Sequence, residues 1–152
     1  HVFQFLVSYL QTIGVHHSRG VLLEEQLAIF LYMCVTGLSM RHVAERFQCS
    51  TDTVSRYFLK MLFIFSSSPF YTDFVLLPGV NDPPSSYIND NLKFHPFFEN
   101  AIGAMDGSHF LGSGTEEERA LAWDRKGLVT HNCLAGCNFN HTFTYISAGW
   151  EG

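Results

Sequence analysis

All five prolines of this chain, Pro69, Pro78, Pro83, Pro84 and Pro96, fall in one segment, together with Gly79, Asn81, Asp82, Ser85, Ser86, Asn89 and Asn91. Proline locks φ and removes a backbone donor, so neither a long helix nor a central strand can run through such a stretch. Residues 67–98 are therefore expected to form a linker or long loop. The chain divides around it into a region 1–66 and a region 99–152.

The two regions differ in texture. Upstream, Leu27, Phe30, Leu31, Cys34 and Val35 recur at three and four residues, and Val54, Tyr57, Phe58, Met61, Leu62 and Phe65 repeat the spacing. That period belongs to helices packed on one face and predicts a helical bundle. Downstream, short apolar runs cut by glycine and asparagine, Ala101 to Met105, Cys133 to Cys137 and Phe143 to Ala148, read as strands. Asn138, Asn140 and His141 between the last two runs predict a tight antiparallel connection. Gly112 to Glu118 reads as a polar loop whose end starts a short helix through Ala120, Leu121 and Ala122. The expected fold class is α+β.

At 47% hydrophobic and 15% aromatic residues over 152 positions, the chain can bury a core, which argues against disorder. Phe3, Phe5, Leu6, Val7, Tyr9 and Leu10 make an apolar start. Gln4, Ser8 and Gln11 interrupt it and no basic flank accompanies it, so it is not read as a signal peptide. Leu27 to Val35 is far shorter than the roughly 20 residues that span a bilayer, and no membrane association is expected. The start at His1 and the stop at Trp150-Glu151-Gly152, directly after an apolar run, are read as cut ends.

Four cysteines at irregular spacing do not make a secreted disulfide framework, which favours a reduced, intracellular setting. Cys133 and Cys137 lie between His131 and His141 and raise a zinc reading, against the simpler one of cysteine as a small hydrophobe. The net charge of −5 opposes uniform binding to polyphosphate, so any nucleic-acid contact must rest on local charge.

Such a local balance exists between Leu38 and Leu62, where Arg41, Arg46, Arg56 and Lys60 face only Glu45 and Asp52. Ser39 is placed to cap a helix over Met40 to Gln48, and Gly37 to end the helix before it. After Cys49 and Ser50, the run Thr51-Asp52-Thr53 supplies a hydroxyl cap and an acidic first turn for a second helix. Val54 and Phe58 are expected to face Val43, Ala44 and Phe47. A short helix, a turn of three or four residues and a second amphipathic helix is the helix-turn-helix arrangement that enters a DNA major groove. Thr51, Thr53, Ser55 and Arg56 are the expected readers, with Arg41 and Lys60 beside them. A helical hairpin packed on Leu27 to Val35 is the plainer alternative.

In the second region, Ala101-Ile102-Gly103-Ala104-Met105 leads into Asp106, expected at a strand end and followed by glycine. A carboxylate there is costly without compensation, and a divalent cation can supply it. Two-metal phosphoryl transfer uses acids so placed. Asp-Gly is equally a common turn pair. His109, three residues on, is read either as a structural histidine or as a metal neighbour or hydrogen-bond donor at the same site.

Five segments together resemble one family: Leu23-Glu24-Glu25-Gln26-Leu27-Ala28-Ile29-Phe30-Leu31, Arg56-Tyr57-Phe58, Ile102 to His109, Arg125-Lys126-Gly127, and Ala148-Gly149-Trp150-Glu151-Gly152. In order and spacing, over nearly the whole chain, they are similar to the PIF/Harbinger transposase-derived superfamily. That resemblance implies a helical DNA-binding or accessory region followed by an RNase H-like core, whose Asp-Asp-Glu triad holds Mg²⁺ or Mn²⁺ and cleaves phosphodiesters. Asp106 matches the first acid, and the other two would follow Gly152; Glu151 is not matched to either.

The resemblance thus implies the opening strands of an incomplete nuclease domain over 99–152, inactive by itself. Arg125, Lys126 and His131 could approach a phosphate backbone. Asp124 and Asn138 depart from the residues common in relatives, Asn and Asp respectively. Nuclear residence, DNA as partner and a separate DNA-binding protein as a further partner belong to the same implication. The alternative is a catalytically dead DNA-binding or protein-interaction module of transposon origin.

Overall fold

The structure, a computed structural model, describes residues 1–79, 82–83, 85–111 and 130–151. The chain forms two units, His1–Asp73 and Phe74–Gly152. The architecture is mixed, helices followed by a three-stranded antiparallel sheet, as the α+β expectation had it.

The first unit contains α1 (Val2–Thr12), α2 (Leu23–Thr36), α3 (Met40–Phe47), α4 (Thr51–Ser66) and nearly all of a short α5 (Phe70–Phe74). Local chemistry sets most of these boundaries. Gly37, at φ 62°, ends α2 in the left-handed region, and its N–H donates to the Met33 carbonyl at 2.9 Å. Gln48 ends α3 in the same conformation at φ 53°. Ser50 caps α4: its Oγ accepts the Thr53 N–H at 3.1 Å. Ser39 occupies the capping position of α3, but its hydroxyl bonds to Nδ1 of His42 at 2.8 Å and not to a backbone N–H.

Two apolar clusters hold these helices together. Val7, Leu10, Leu23, Leu27, Phe30 and Met61 form the first, joining α1, α2 and α4. Ile29, Val43, Ala44 and Val54 form the second, joining α2, α3 and α4, with Phe47 packed against it. Thus Val54 faces α3 as its spacing predicts. Phe58 does not: it packs in the first cluster, its ring 5.4 Å from that of Phe30. Four residues make slightly more than one turn, so Val54 and Phe58 lie on the same side of α4 but are drawn to different neighbours at its two ends. The last turn of α2 is uncovered, with Val35 84% exposed despite its place in the apolar pattern.

The segment expected as a linker carries two short helices. Pro69 lies just ahead of α5, where a missing N–H costs nothing, and its carbonyl accepts the Asp73 N–H at 3.0 Å. A run of ring contacts then fastens α5 to the bundle: Phe30 stacks on Phe65 at 5.1 Å, Phe65 meets Phe70 at 4.4 Å, and Phe70 meets Tyr9 at 5.4 Å. Tyr9 completes the fastening by donating its O–H to Oδ2 of Asp73 at 2.5 Å. These contacts explain why the first unit runs to Asp73 and not to residue 66.

The second unit contains α6 (Ser86–Asn89), β1 (Ala104–Leu111), β2 (Thr130–Cys137) and β3 (Phe143–Glu151), in sheet order β1-β2-β3. Ser85 caps α6 by accepting the Tyr87 N–H at 3.3 Å, and Ile88 is its buried residue. The β2–β3 connection is antiparallel and tight: Asn138 Oδ1 accepts N–H groups from Asn140 and Thr142 at 3.0 and 3.1 Å. β1 begins later and runs longer than the apolar run suggested. Gly103 precedes it so closely against β2 that an added Cβ would lie 2.7 Å from the Cys137 carbonyl oxygen. The expected loop from Gly112 to Glu118 and the short helix after it lie outside the described residues.

Candidate nucleic-acid interface

α3 and α4 are joined by Gln48, Cys49 and Ser50 alone. The left-handed turn at Gln48 reverses the chain, and the Gln48 side chain satisfies the Glu45 carbonyl from Nε2 at 2.6 Å. Cys49 is half-buried beneath the turn, and burial, with a smaller push from the Glu25 carboxylate, raises its thiol pKa. Val43, Ala44 and Val54 pack under the turn and set the relation of the two helices.

The expected contact residues divide by environment. Arg41 is exposed on α3, and Thr51 and Arg56 are exposed on the first turns of α4, with Ser55 half-buried between them. Arg56 is steadied by Asp52 one turn earlier, Nη2 to Oδ2 at 3.4 Å, an i,i+4 pair with both partners largely in solvent. Thr53 takes part in the cap, its backbone N–H and its Oγ1 both meeting Ser50 Oγ at 3.1 and 2.9 Å.

Lys60 has a different setting. Its ammonium donates to Oε1 of Gln26 at 2.8 Å, and desolvation lowers its pKa. Gln26 is fully buried and spends its Nε2 on the Val21 carbonyl at 3.1 Å. Tyr57, between Arg56 and Lys60 on α4, is buried as well, and its hydroxyl hydrogen-bonds to Ser18 Oγ. Reading the sequence missed this set, although Ser18-Arg19-Gly20 ahead of α2 is a recognisable turn signal.

On the sheet, Asp106 is the third residue of β1, opposite Ala135 on β2. The expectation of a strand ending at Asp106 is corrected: pairing with β2 carries the strand on to Leu111. Asp106 is exposed, and its Oδ1 accepts the N–H of Gly107 at 2.8 Å. The expectation that His109 neighbours Asp106 is corrected too. Side chains alternate along a strand, so an odd separation puts the two on opposite faces. His109 pairs in register with Asn132, and its Nδ1 lies 3.3 Å from Thr130 Oγ1.

Among the described residues no group of three or more His, Cys, Asp or Glu, with or without Asp106, is disposed to hold a metal. Cys133 and Cys137 are free thiols on β2. Arg125 and Lys126 lie outside the described residues. No helix among the described residues is long and apolar enough to cross a membrane.

Residues 1–67, which include α1 to α4, match the family model of a domain of unknown function, DUF8040. No curated protein and no solved structure matches the chain.

Proposed function

We propose that the first unit is a helix-turn-helix module that binds duplex DNA, with α4 as the helix that enters the major groove. The observation that carries this reading is the pair α3 and α4, joined by three residues and locked by the Ser50 cap and the Val43–Ala44–Val54 cluster. In that arrangement the first turns of the second helix meet the base edges while the first helix crosses the backbone. Arg56 offers the guanidinium that suits guanine, and Thr51 and Ser55 offer hydroxyls. Arg41 on α3 is a backbone contact.

The charge distribution supports the same reading. In the first unit Arg19, Arg41, Arg46, Arg56 and Lys60 balance Glu24, Glu25, Glu45, Asp52 and Asp73, so the deficit of five charges lies in the second unit. The test is fluorescence anisotropy of a labelled duplex across a salt series. Arg41→Ala should weaken binding and flatten the dependence of log K on log salt by about one, since each phosphate neutralised contributes about 0.9 to the slope, whereas Arg56→Ala should weaken binding and relax sequence preference. An unchanged slope would turn the reading toward a protein-binding module, the catalytically dead alternative.

A metal-dependent DNA endonuclease is the second reading, favoured by the position of Asp106 on the first strand of a three-stranded antiparallel meander. The PIF/Harbinger resemblance implies the first acid of an RNase H-like core there. Mg²⁺ or Mn²⁺, held by Asp106 and two further carboxylates, would supply an activated oxygen nucleophile and stabilise the departing one. The resemblance matches one acid of the triad, Asp106, so cleavage is proposed of a chain that carries all three. Nuclear residence and a separate DNA-binding partner go with this reading. Calorimetric titration with Mn²⁺ should show no tight site in this chain; a tight site abolished by Asp106→Ala would mean that Asp106 and other groups of this sequence suffice to hold the ion.

A further inference from the structure

The loop ahead of α2, His16-His17-Ser18-Arg19-Gly20, plays no part in the reading of α3 and α4. It is closed on itself: Ser18 and Val21 exchange backbone hydrogen bonds at 3.1 and 3.3 Å, which leaves Arg19 and Gly20 as its tip. Gly20 takes φ +92°, a conformation that supports so short a reversal. His16, His17 and Arg19 are exposed.

Internal hydrogen bonds hold this loop to α4. Ser18 Oγ bonds to the Tyr57 hydroxyl. Gln26 takes the Val21 carbonyl on one side and the Lys60 ammonium on the other, at 3.1 and 2.8 Å. Tyr57 is the centre of the set: the Arg56 guanidinium carbon lies 5.6 Å and the Lys60 nitrogen 6.0 Å from its ring centroid. A buried tyrosine between two cations is thereby bonded to the residue next to a third, Arg19.

We infer that the His16–Gly20 loop is a second DNA contact, a phosphate-backbone clamp in which Arg19 carries the charge; it rests on the DNA-binding reading of α3 and α4. Lys60 is committed to the Gln26 amide and Arg56 is shared with Asp52, whereas Arg19 has no side-chain partner among the described hydrogen bonds and ion pairs. The loop itself contains no acid. A phosphate contact fixes register and orientation without reading sequence, and a short closed loop ending in an arginine suits that task.

The experiment is anisotropy with the full chain and labelled duplexes of two unrelated sequences over a salt series, with circular dichroism and thermal melting to verify the fold of each variant. Arg19→Ala should weaken binding to both duplexes by the same factor and reduce the salt slope by about one, and Arg19→Lys should restore the slope. Tyr57→Phe, which keeps the ring and loses the bond to Ser18, should weaken both duplexes equally by a smaller factor. Wild-type binding with an Arg19→Ala slope that does not change would overturn the clamp alone. A wild-type chain that binds neither duplex would overturn the reading of α3 and α4, and the clamp with it.

Discussion

Lys60 on α4 donates its ammonium to the side-chain oxygen of Gln26 on α2 at 2.8 Å, and Gln26 is fully buried. The lysine therefore completes the hydrogen bonding of an interior amide. Loss of that donor leaves a buried acceptor unpaired, which costs about 1–3 kcal/mol. Lys60→Ala should lower the free energy of urea unfolding by that amount. Adding Gln26→Leu, which removes the orphaned acceptor, should recover part of the loss; strictly additive effects would mean that the two side chains are not coupled.

Tyr9 and Asp73 make stability depend on alkaline pH. The hydrogen bond to Asp73 first, then desolvation and the nearby negative charge, push the Tyr9 pKa from its ordinary 10.0 to about 12. Because the folded state holds the phenol proton more tightly, this contribution is complete below pH 10 and is lost as pH rises toward 12. Thermal melts across that range should fall less steeply for Tyr9→Phe than for wild type. Identical slopes would show that the phenol titrates alike in both states.

Ser50 accepts the Thr53 N–H at the start of α4. Ser50→Ala should cost about 1 kcal/mol in global stability, the usual value of an N-cap, and Ser50→Asp should restore it. Hydrogen exchange offers a local check: the amide of Thr53 should lose protection in the alanine variant ahead of amides in the middle of α4. Equal protection in both proteins would mean that the cap does not hold this turn.

Residues close in the chain account for what was legible in the sequence. Gly37 ends α2 and the Ser50–Thr53 pair starts α4 because helix ends are decided within one turn by which groups satisfy free N–H and C=O groups. The three-residue turn between α3 and α4 and the tight β2–β3 connection follow from the same local accounting. Of the expected contact residues, Arg41, Thr51, Ser55 and Arg56 lie on α3 and the start of α4, as their positions in the chain required.

Other features needed partners far away in sequence. Pro69 looked like the start of a linker, yet α5 belongs to the first unit because Phe65, Tyr9 and Phe70 meet across it. Asp106 looked like the end of a strand, yet β1 continues because β2 offers pairing positions as far as Thr130. Once that strand continues, alternation separates Asp106 from His109, which pattern alone had placed together.

The sequence by itself determined that α2, α3 and α4 are helical and β2 and β3 extended, the turns between α3 and α4 and between β2 and β3, and the concentration of basic residues around α3 and α4, since periodicity and backbone preference act over a few residues. Tertiary structure alone decided that Phe58 joins Phe30 rather than α3, that Lys60 serves Gln26, and that Ser18 beside Arg19 is bonded to Tyr57. The physical reason is that an apolar face or a polar atom carries no label for its partner; the one it finds is whichever group, 28 to 39 residues away in these cases, the packed helices bring within contact distance.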